Sequence, residues 1–438
     1  MRRRVVISGI GLVSAAGCGI ETVWRRLRSD PPRPSLYAGP GPTEGLRFPL
    51  YRTVPYGLED LGVPDRCRRW LKDERLAGTR DLEHLLGSTA LALQDAGLPM
   101  DCSREDPRAA VLVGNESPGF EQLSQALFRL GGEDPLPADP LERYAGLSER
   151  FFQLNTFLLP YYVARAFRLQ GLALFVNSAC TSGLNALEIA AQEIRAGRSR
   201  IAIAAAADDP ASVAKFLWFD RQGLYARDGR LRPFDAGQQG TVFGDGGAAL
   251  VLEDLESAAG RGARIYAEYL GAGFAQDGWK IAVPSPAQAS AVQALRWAFQ
   301  EAGVAAEEVD LVVPHGVGTP ASDQYEALVL HRVFDAVAAW PAVTALKPFV
   351  GHNLGGSATF ELAILLAAIL RQTVPPTLQH ETPFERNALP LVREWEERPI
   401  EIAVKLTCGF AGYYGAAVFR RFAAPSRRPA LPSGGSAA

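Results

Sequence analysis

Apolar residues fall along this chain in short runs separated by amphipathic stretches, and the alternation repeats. Residues 4–10 form an apolar, β-rich run ending in glycines, which predicts a first buried strand. Residues 81–96 carry Leu82, Leu85, Leu86, Ala90 and Leu93 at helical spacing. Short strands are expected at 109–114, 172–176 and 200–206. A helix is expected over 181–196, stopped by Gly197, and a β-like run over 246–253. A second round follows, with strands at 263–270, 309–314, 401–408 and 416–419 and helices at 289–302, 322–334 and 362–370. Strands alternating with helices predict α/β lobes with largely buried sheets. The two rounds meet near residue 255 without a close internal sequence repeat. They divide the chain into an N-terminal half, 1–255, a C-terminal half, 256–423, and a tail, 424–438. The proline-containing stretch 116–165 is expected to hold inserted helices and loops, and the Pro-, Ser-, Gly- and Ala-rich tail to be disordered.

Composition narrows the class. The 438 residues are 47% hydrophobic and 21% charged, which suits a soluble globular protein with two cores. A net charge of −3 gives no overall basic field to attract nucleic acid. The first fourteen residues hold three arginines, but Gly9 and Gly11 break their apolar run, so no signal peptide is expected. Residues 360–370 are too short to cross a membrane and include Glu361. The five cysteines, Cys18, Cys67, Cys102, Cys180 and Cys408, have neither C-x-x-C nor zinc spacing. That argues against a disulfide framework or metal site and for a reducing cytoplasm.

The densest chemical signal is Val176-Asn177-Ser178-Ala179-Cys180-Thr181-Ser182-Gly183. A strand ends, small residues turn, and a helix begins. A cysteine there meets the positive helix end, which is expected to lower its thiol pKa, while its N–H can face a substrate carbonyl. A buried cysteine serving as a small apolar side chain is the competing reading. Two of the five histidines lie in glycine-rich turns: Pro314-His315-Gly316-Val317-Gly318-Thr319-Pro320 and Lys347-Pro348-Phe349-Val350-Gly351-His352-Asn353-Leu354-Gly355. Neutral imidazoles there can donate hydrogen bonds to a thioester carbonyl and steady an enolate. Asp323 and Glu326 share a helix face after His315, and Glu361 follows His352. Complementing a helix dipole is the alternative role for these acids. His84, His331 and His380 lack such context.

Together these motifs resemble the β-ketoacyl-acyl carrier protein synthases, the elongating type II enzymes with a Cys-His-His triad. The resemblance spans roughly residues 2–420. It adds Arg3-Arg4-Val5-Val6-Ile7-Ser8-Gly9-Ile10-Gly11, Arg232-Pro233-Phe234-Asp235, Gly244-Asp245-Gly246-Gly247-Ala248 and Cys408-Gly409-Phe410-Ala411-Gly412 to the motifs above. It implies the thiolase fold, five layers α-β-α-β-α built from two related halves, with 181–196 as a central helix. It implies a homodimer, or a heterodimer with a related ketosynthase-like subunit, whose interface lies near the strand leading to Cys180.

The implied activity is decarboxylative condensation in fatty acid, polyketide or polyene synthesis. Cys180 takes an acyl group from an acyl carrier protein. His315 and His352 then bind the malonyl thioester as carbon dioxide leaves, and the carbanion attacks the acyl-enzyme. Lys347 and Glu361 support the histidines, with Asp323, Glu326 and Thr319 at the family's positions. Cys180 and Phe410 N–H groups hold the oxyanion, and Phe410 also gates the pocket. No metal or organic cofactor is implied. Arg68, Arg69 and Lys72 form a candidate docking patch for an acidic carrier protein, with a solvated helix face as the alternative.

Three departures stand out. Val317 replaces the usual threonine, Tyr413-Tyr414 alters the loop after Phe410, and 280–284 lacks the usual polar residues. They point toward a specialised pathway. Two other readings stay open. One is a non-catalytic, chain-length-factor-like partner of another ketosynthase. The other is a thiolase, with Cys408 as its second cysteine.

Overall fold

The structure, a computed structural model, describes residues 3–39, 45–119 and 155–423. Asp139, Leu141, Glu142, Ser148 and Phe152 are described singly between them. Most of the expected inserted helices and loops, and the whole tail from 424, lie outside the described residues.

Ten strands carry the architecture. They are β1 (Val5–Ser14), β2 (Ala110–Gly114), β3 (Ala173–Val176), β4 (Ile201–Asp208), β5 (Gly246–Asp254), β6 (Ala267–Gln276), β7 (Leu311–Val313), β8 (Ala342–Val343), β9 (Ile402–Gly409) and β10 (Tyr413–Arg420). Their order is β8-β7-β9-β10-β6-β1-β5-β4-β2-β3. Outward from β1, the first five run in chain order 1-5-4-2-3. Outward from β6, the second five run in the same order. Polarity repeats too. β1/β5 and β5/β4 are antiparallel, while β4/β2 and β2/β3 are parallel. Likewise β6/β10 and β10/β9 are antiparallel, while β9/β7 and β7/β8 are parallel. The halves join where β1 pairs antiparallel with β6, Val6 opposite Glu268.

Six helices complete the layers: α1 (Arg80–Ala96), α2 (Leu158–Phe167), α3 (Ser182–Arg195), α4 (Ala289–Ala302), α5 (Pro320–Phe334) and α6 (Ser357–Arg371). The α3 and α6 helices pack on each other in the middle layer. The α1 and α2 helices cover the first half-sheet from outside, and α4 covers the second with α5 beside it. Side-chain alternation divides the cores. On β2, Ala110 and Leu112 face the central cluster, while Val111 and Val113 face the outer one. On β9, Ala403 turns inward, while Ile402, Val404 and Leu406 turn outward. Strands buried on both faces need apolar residues at every position, which is why they read as unbroken runs.

Some boundaries moved. The glycines expected to end the first strand lie inside it, because a Cβ on Gly9 would sit 2.3 Å from the Ala92 carbonyl oxygen and one on Gly11 1.8 Å from that of Ser88. They let α1 lie close on β1. Gly273 serves α4 in the same way, 2.2 Å from the Ala294 oxygen. The strand expected from 263 starts at Ala267, after the Arg261–Ala263 turn closed by Gly262, and extends to Gln276. The helix expected over 362–370 begins five residues earlier, at Ser357. With the preceding turn, Leu354–Arg371 is long and apolar enough to cross a membrane, contrary to the sequence expectation. It is nevertheless almost wholly buried in the middle layer.

Candidate active site

The strand β3 and helix α3 bracket Cys180. Between them Ala179 adopts a left-handed φ of 52°, a conformation that costs a non-glycine residue about 1–2 kcal/mol. Side chains hold this turn. The Ser178 N–H donates to Ser182 Oγ at 2.9 Å, Thr181 Oγ1 donates to the Ser178 carbonyl at 2.8 Å, and Asn185 Nδ2 donates to Ser178 Oγ at 2.9 Å. The sulfur is thereby fixed at the first turn of the central helix.

The two histidines arrive from the other half of the molecule. His352 Nε2 lies 3.5 Å from Cys180 Sγ, and its Nδ1 pairs with Ser357 Oγ at 2.6 Å. Its backbone is clamped to the first half, since His352 N–H donates to Val242 and Gly244 N–H donates back to His352. Gly351, at φ 80°, permits this approach, because a Cβ there would meet Gly244 backbone at 2.6 Å. His315 stands edge-on to His352, with ring centroids 5.5 Å apart. Ligand atoms of Cys180, His315 and His352 all lie within 4.8 Å of one another.

Behind the rings lies a buried charge cluster. Lys347 Nζ contacts His315 Nδ1 at 3.2 Å and Glu361 Oε2 at 3.0 Å. Lys405 Nζ reaches the same Glu361 oxygen at 3.0 Å and donates to the carbonyls of Pro314 and Leu406. An ammonium only donates, so His315 Nδ1 is the acceptor and its proton sits on Nε2. Burial, Lys347 and Lys405 push both imidazoles well below their ordinary pKa, with His352 adding to the effect on His315. Both rings are therefore neutral, and His315 presents its Nε2–H as a donor. The Cys-His-His trio could geometrically grip a soft divalent ion, but the two ammoniums beside it oppose another cation.

The thiol contradicts the sequence expectation. Burial and the nearby Glu116 carboxyl raise it well above the ordinary cysteine value, against Lys347 and the Phe410 N–H that points at the sulfur. Desolvation of a thiolate here outweighs the helix end. Phe410 follows β9 and packs on Phe219 and Trp218. Asp323 and Glu326 do not touch the sulfur. Glu326 accepts from the His315 and Gly316 N–H groups, and Asp323 from those of Val317, Gly318 and Phe234. They are loop clamps rather than exposed dipole charges, and burial with Glu326 pushes Asp323 up to about 7.

A narrow cleft reaches the site, with about 60 Å³ free, room for only a few waters. Thr319, Val317, Tyr325, Tyr414, Cys408 and Phe410 line it, and residues 280–284 cover it. Tyr414 stacks on Tyr325 at 5.6 Å, whereas Tyr413 points outward. Arg68, Arg69 and Lys72 lie on the helix Asp65–Asp73 and none lines this cleft. Arg68 is paired with Asp65 and Glu59, while Arg69 and Lys72 are exposed.

Residues 69–258 match the family model "Beta-ketoacyl synthase, N-terminal domain", and residues 266–381 match its C-terminal domain. A protein of Streptomyces halstedii assigned as a polyketide β-ketoacyl synthase is 32% identical over 98% of this chain and 100% of its own. The chain belongs to the β-ketoacyl synthase family. The 3-oxoacyl-[acyl-carrier-protein] synthase 2 of Rhizobium meliloti is 28% identical over 96% of this synthase and 99% of its own length. Among solved structures, "The ishigamide ketosynthase/chain length factor" superposes with a TM-score of 0.84 at 28% identity, covering 97% of this chain and 100% of that one. A β-ketoacyl synthase from Burkholderia phymatum gives 0.81 at 25% identity over the same shares. The two half-sheets and their shared middle layer are the thiolase fold.

Sequence reasoning missed Ser357, Lys405 and Glu116. Lys405 left a signal, a charge inside the apolar run Ile402–Leu406. Ser357 and Glu116 left none.

Proposed function

We propose that this synthase joins acyl units by decarboxylative condensation, carrying the growing acyl group on Cys180. The observation that carries the reading is the 3.5 Å contact between Cys180 Sγ and His352 Nε2, with His315 in the same cleft. Cys180 attacks an acyl thioester held on an acyl carrier protein. The oxyanion is met by the N–H groups of Cys180 and Phe410, each such donor being worth about 3–4 kcal/mol in comparable sites. The malonyl thioester of malonyl carrier protein enters through the cleft. The Nε2–H groups of His315 and His352 bind its thioester carbonyl as the C–C bond to the carboxylate breaks. The enolate carbon attacks the acyl-enzyme and yields a β-ketoacyl thioester. Lys347, Lys405 and Glu361 keep both rings neutral and the site electropositive, Asp323 and Glu326 fix the His315 loop, and Thr319 lines the malonyl side. No cofactor enters, since the thioester activates its own carbonyl.

The apolar Val317, Ala282 and Val283 and the Tyr325–Tyr414 stack narrow the cleft. They support an extender site unlike that of bulk fatty acid synthesis, within a polyketide or polyene pathway. The strand β3 is an edge strand, with Leu172 and Leu174 each 40% exposed. A flat apolar edge of this kind is a pairing surface, which supports a homodimer or a pair with a related ketosynthase-like chain. Arg69 and Lys72, with Arg68, are placed to steer an acidic carrier protein. Five free cysteines support a reducing cytoplasm, and the β5–β6 connection supports dividing the halves near residue 255.

His315→Ala and His352→Ala proteins should still take an octanoyl group onto Cys180 while releasing carbon dioxide from malonyl carrier protein at least about 100-fold more slowly. Wild-type carbon dioxide release by both variants would remove the mechanism.

A further inference from the structure

The carboxyl of Glu116 has no role in the chemistry above, yet it is built into place beside the nucleophile. Its Oε2 lies 4.0 Å from Cys180 Sγ. It does not line the cleft that holds the histidines. Both of its backbone groups are tied down. The N–H donates to Asp208 Oδ2 at 3.1 Å, and the carbonyl accepts from Asn177 Nδ2 at 2.8 Å, three residues before the nucleophile. Ser117 N–H donates to the other Asp208 oxygen at 3.2 Å. Gly355, three residues beyond His352, lies so close that a Cβ there would meet the Glu116 nitrogen at 2.6 Å. The turn carrying Glu116 is thus locked against both the Cys180 elbow and the His352 loop.

We propose that Glu116 shares the Cys180 thiol proton and accepts it as the sulfur attacks an acyl thioester. This rests on the condensing activity proposed above. The resting thiol is protonated, so its proton must go somewhere. The histidine side disfavours it. Lys347 occupies the lone pair of His315 Nδ1. Lys347 and Lys405 oppose an imidazolium on either ring. When both Nε2 atoms serve as donors, neither presents a lone pair to the sulfur. The titratable groups facing Glu116 are Cys180, Asp208 and Lys215. Burial raises its carboxyl above the ordinary range, against Lys215, which makes it a stronger base toward a thiol. Two acids this close hold one proton between them, and moving it from sulfur to oxygen leaves the net charge of the pair unchanged.

The step balances. The Sγ–H proton passes to Glu116 Oε2, Sγ bonds to the thioester carbonyl carbon, and the bond from that carbon to the carrier's sulfur breaks. The leaving thiolate takes the proton from Glu116, which returns as carboxylate.

The test is single-turnover loading of Cys180 from octanoyl carrier protein, followed by intact mass between pH 5.5 and 9. Wild type, Glu116→Gln and Glu116→Asp are compared. At neutral pH Glu116→Gln should load at least about 100-fold more slowly, the range of a lost general base. The wild-type fall in rate toward low pH should vanish in that variant, and Glu116→Asp should restore it in part. A Glu116→Gln protein that loads as fast as wild type, or faster because a negative charge has left the sulfur, overturns the proposal. So does an unchanged pH profile. If wild type takes no acyl group from any carrier, the condensing activity itself fails, and this proposal with it.

Discussion

At the level of single residues, the site depends on two buried lysines that share one carboxylate. The sequence holds five lysines, and two of them, Lys347 and Lys405, share the one Glu361 carboxylate with no exposure to water. Burial pulls Lys405 down to about 8, with Glu361 opposing and Lys347 assisting. Its folded pKa lies below the ordinary lysine value, so the unfolded chain holds the extra proton between about pH 8 and 10.5, and stability gains from this group as pH rises through that window. Activity moves the other way, because above pH 8 the rings lose a neighbouring charge. Malonyl decarboxylation should therefore fall with an alkaline limb near pH 8, and Lys405→Met should abolish that limb while lowering the rate at pH 7. A limb that persists in Lys405→Met would assign it to another group. Val317, buried in the cleft beside Thr319, gives a second case. Val317→Thr restores a hydroxyl where the family usually has one and should lower the KM for malonyl carrier protein several-fold, measured by initial rates. The cysteine and both histidines were legible because small residues and glycines flank them in turns, Cys180 and His315 just after strands and His352 just after the short helix Lys347–Val350. Glu116 and Ser357 were not, since their partners come from distant strands and loops and no local pattern records that. The thiol pKa was misjudged for the same reason. A helix end is visible in sequence, but the burial and the carboxyl that outweigh it are not.

At the level of elements, glycine sets layer spacing as well as turns. Gly9 and Gly11 on β1 face α1, and Gly271 and Gly273 on β6 face α4, the equivalent pair in the second half. This is a trace of internal duplication that sequence comparison of the halves did not reveal. It also explains why the first strand was cut short in the sequence reading, since glycine inside a strand and glycine ending one look alike. Gly11→Ala would press a methyl into the Ser88 carbonyl. It should cost about 1–3 kcal/mol, read as a lower urea midpoint with an unchanged slope. An unchanged midpoint would show that α1 can shift freely. Most other elements were readable to within a few residues because their apolar runs are unbroken.

The whole molecule is two copies of one topology, with Cys180 supplied by the first half and both histidines by the second. Neither half holds a complete site. The exposed apolar edge β3 leads directly to Cys180 through residues 177–179, so pairing at that edge would brace the turn that carries Cys180. Leu174→Arg should convert a two-chain assembly to single chains by sedimentation and slow Cys180 loading. A dimer that survives this change would place the interface elsewhere. The order and polarity of the strands were not readable from the sequence pattern, which fixes neither pairing nor direction. The resemblance implied the layers and the two related halves, and the structure supplied the order.

The most direct test of the account is intact-protein mass after incubation with octanoyl carrier protein and then with malonyl carrier protein. An octanoyl adduct on Cys180, absent in Cys180→Ala, should form and then disappear as β-ketoacyl product appears. No adduct with any acyl length would leave the chain as a non-catalytic partner, and product formed by Cys180→Ala would show condensation without this nucleophile; either result contradicts the mechanism.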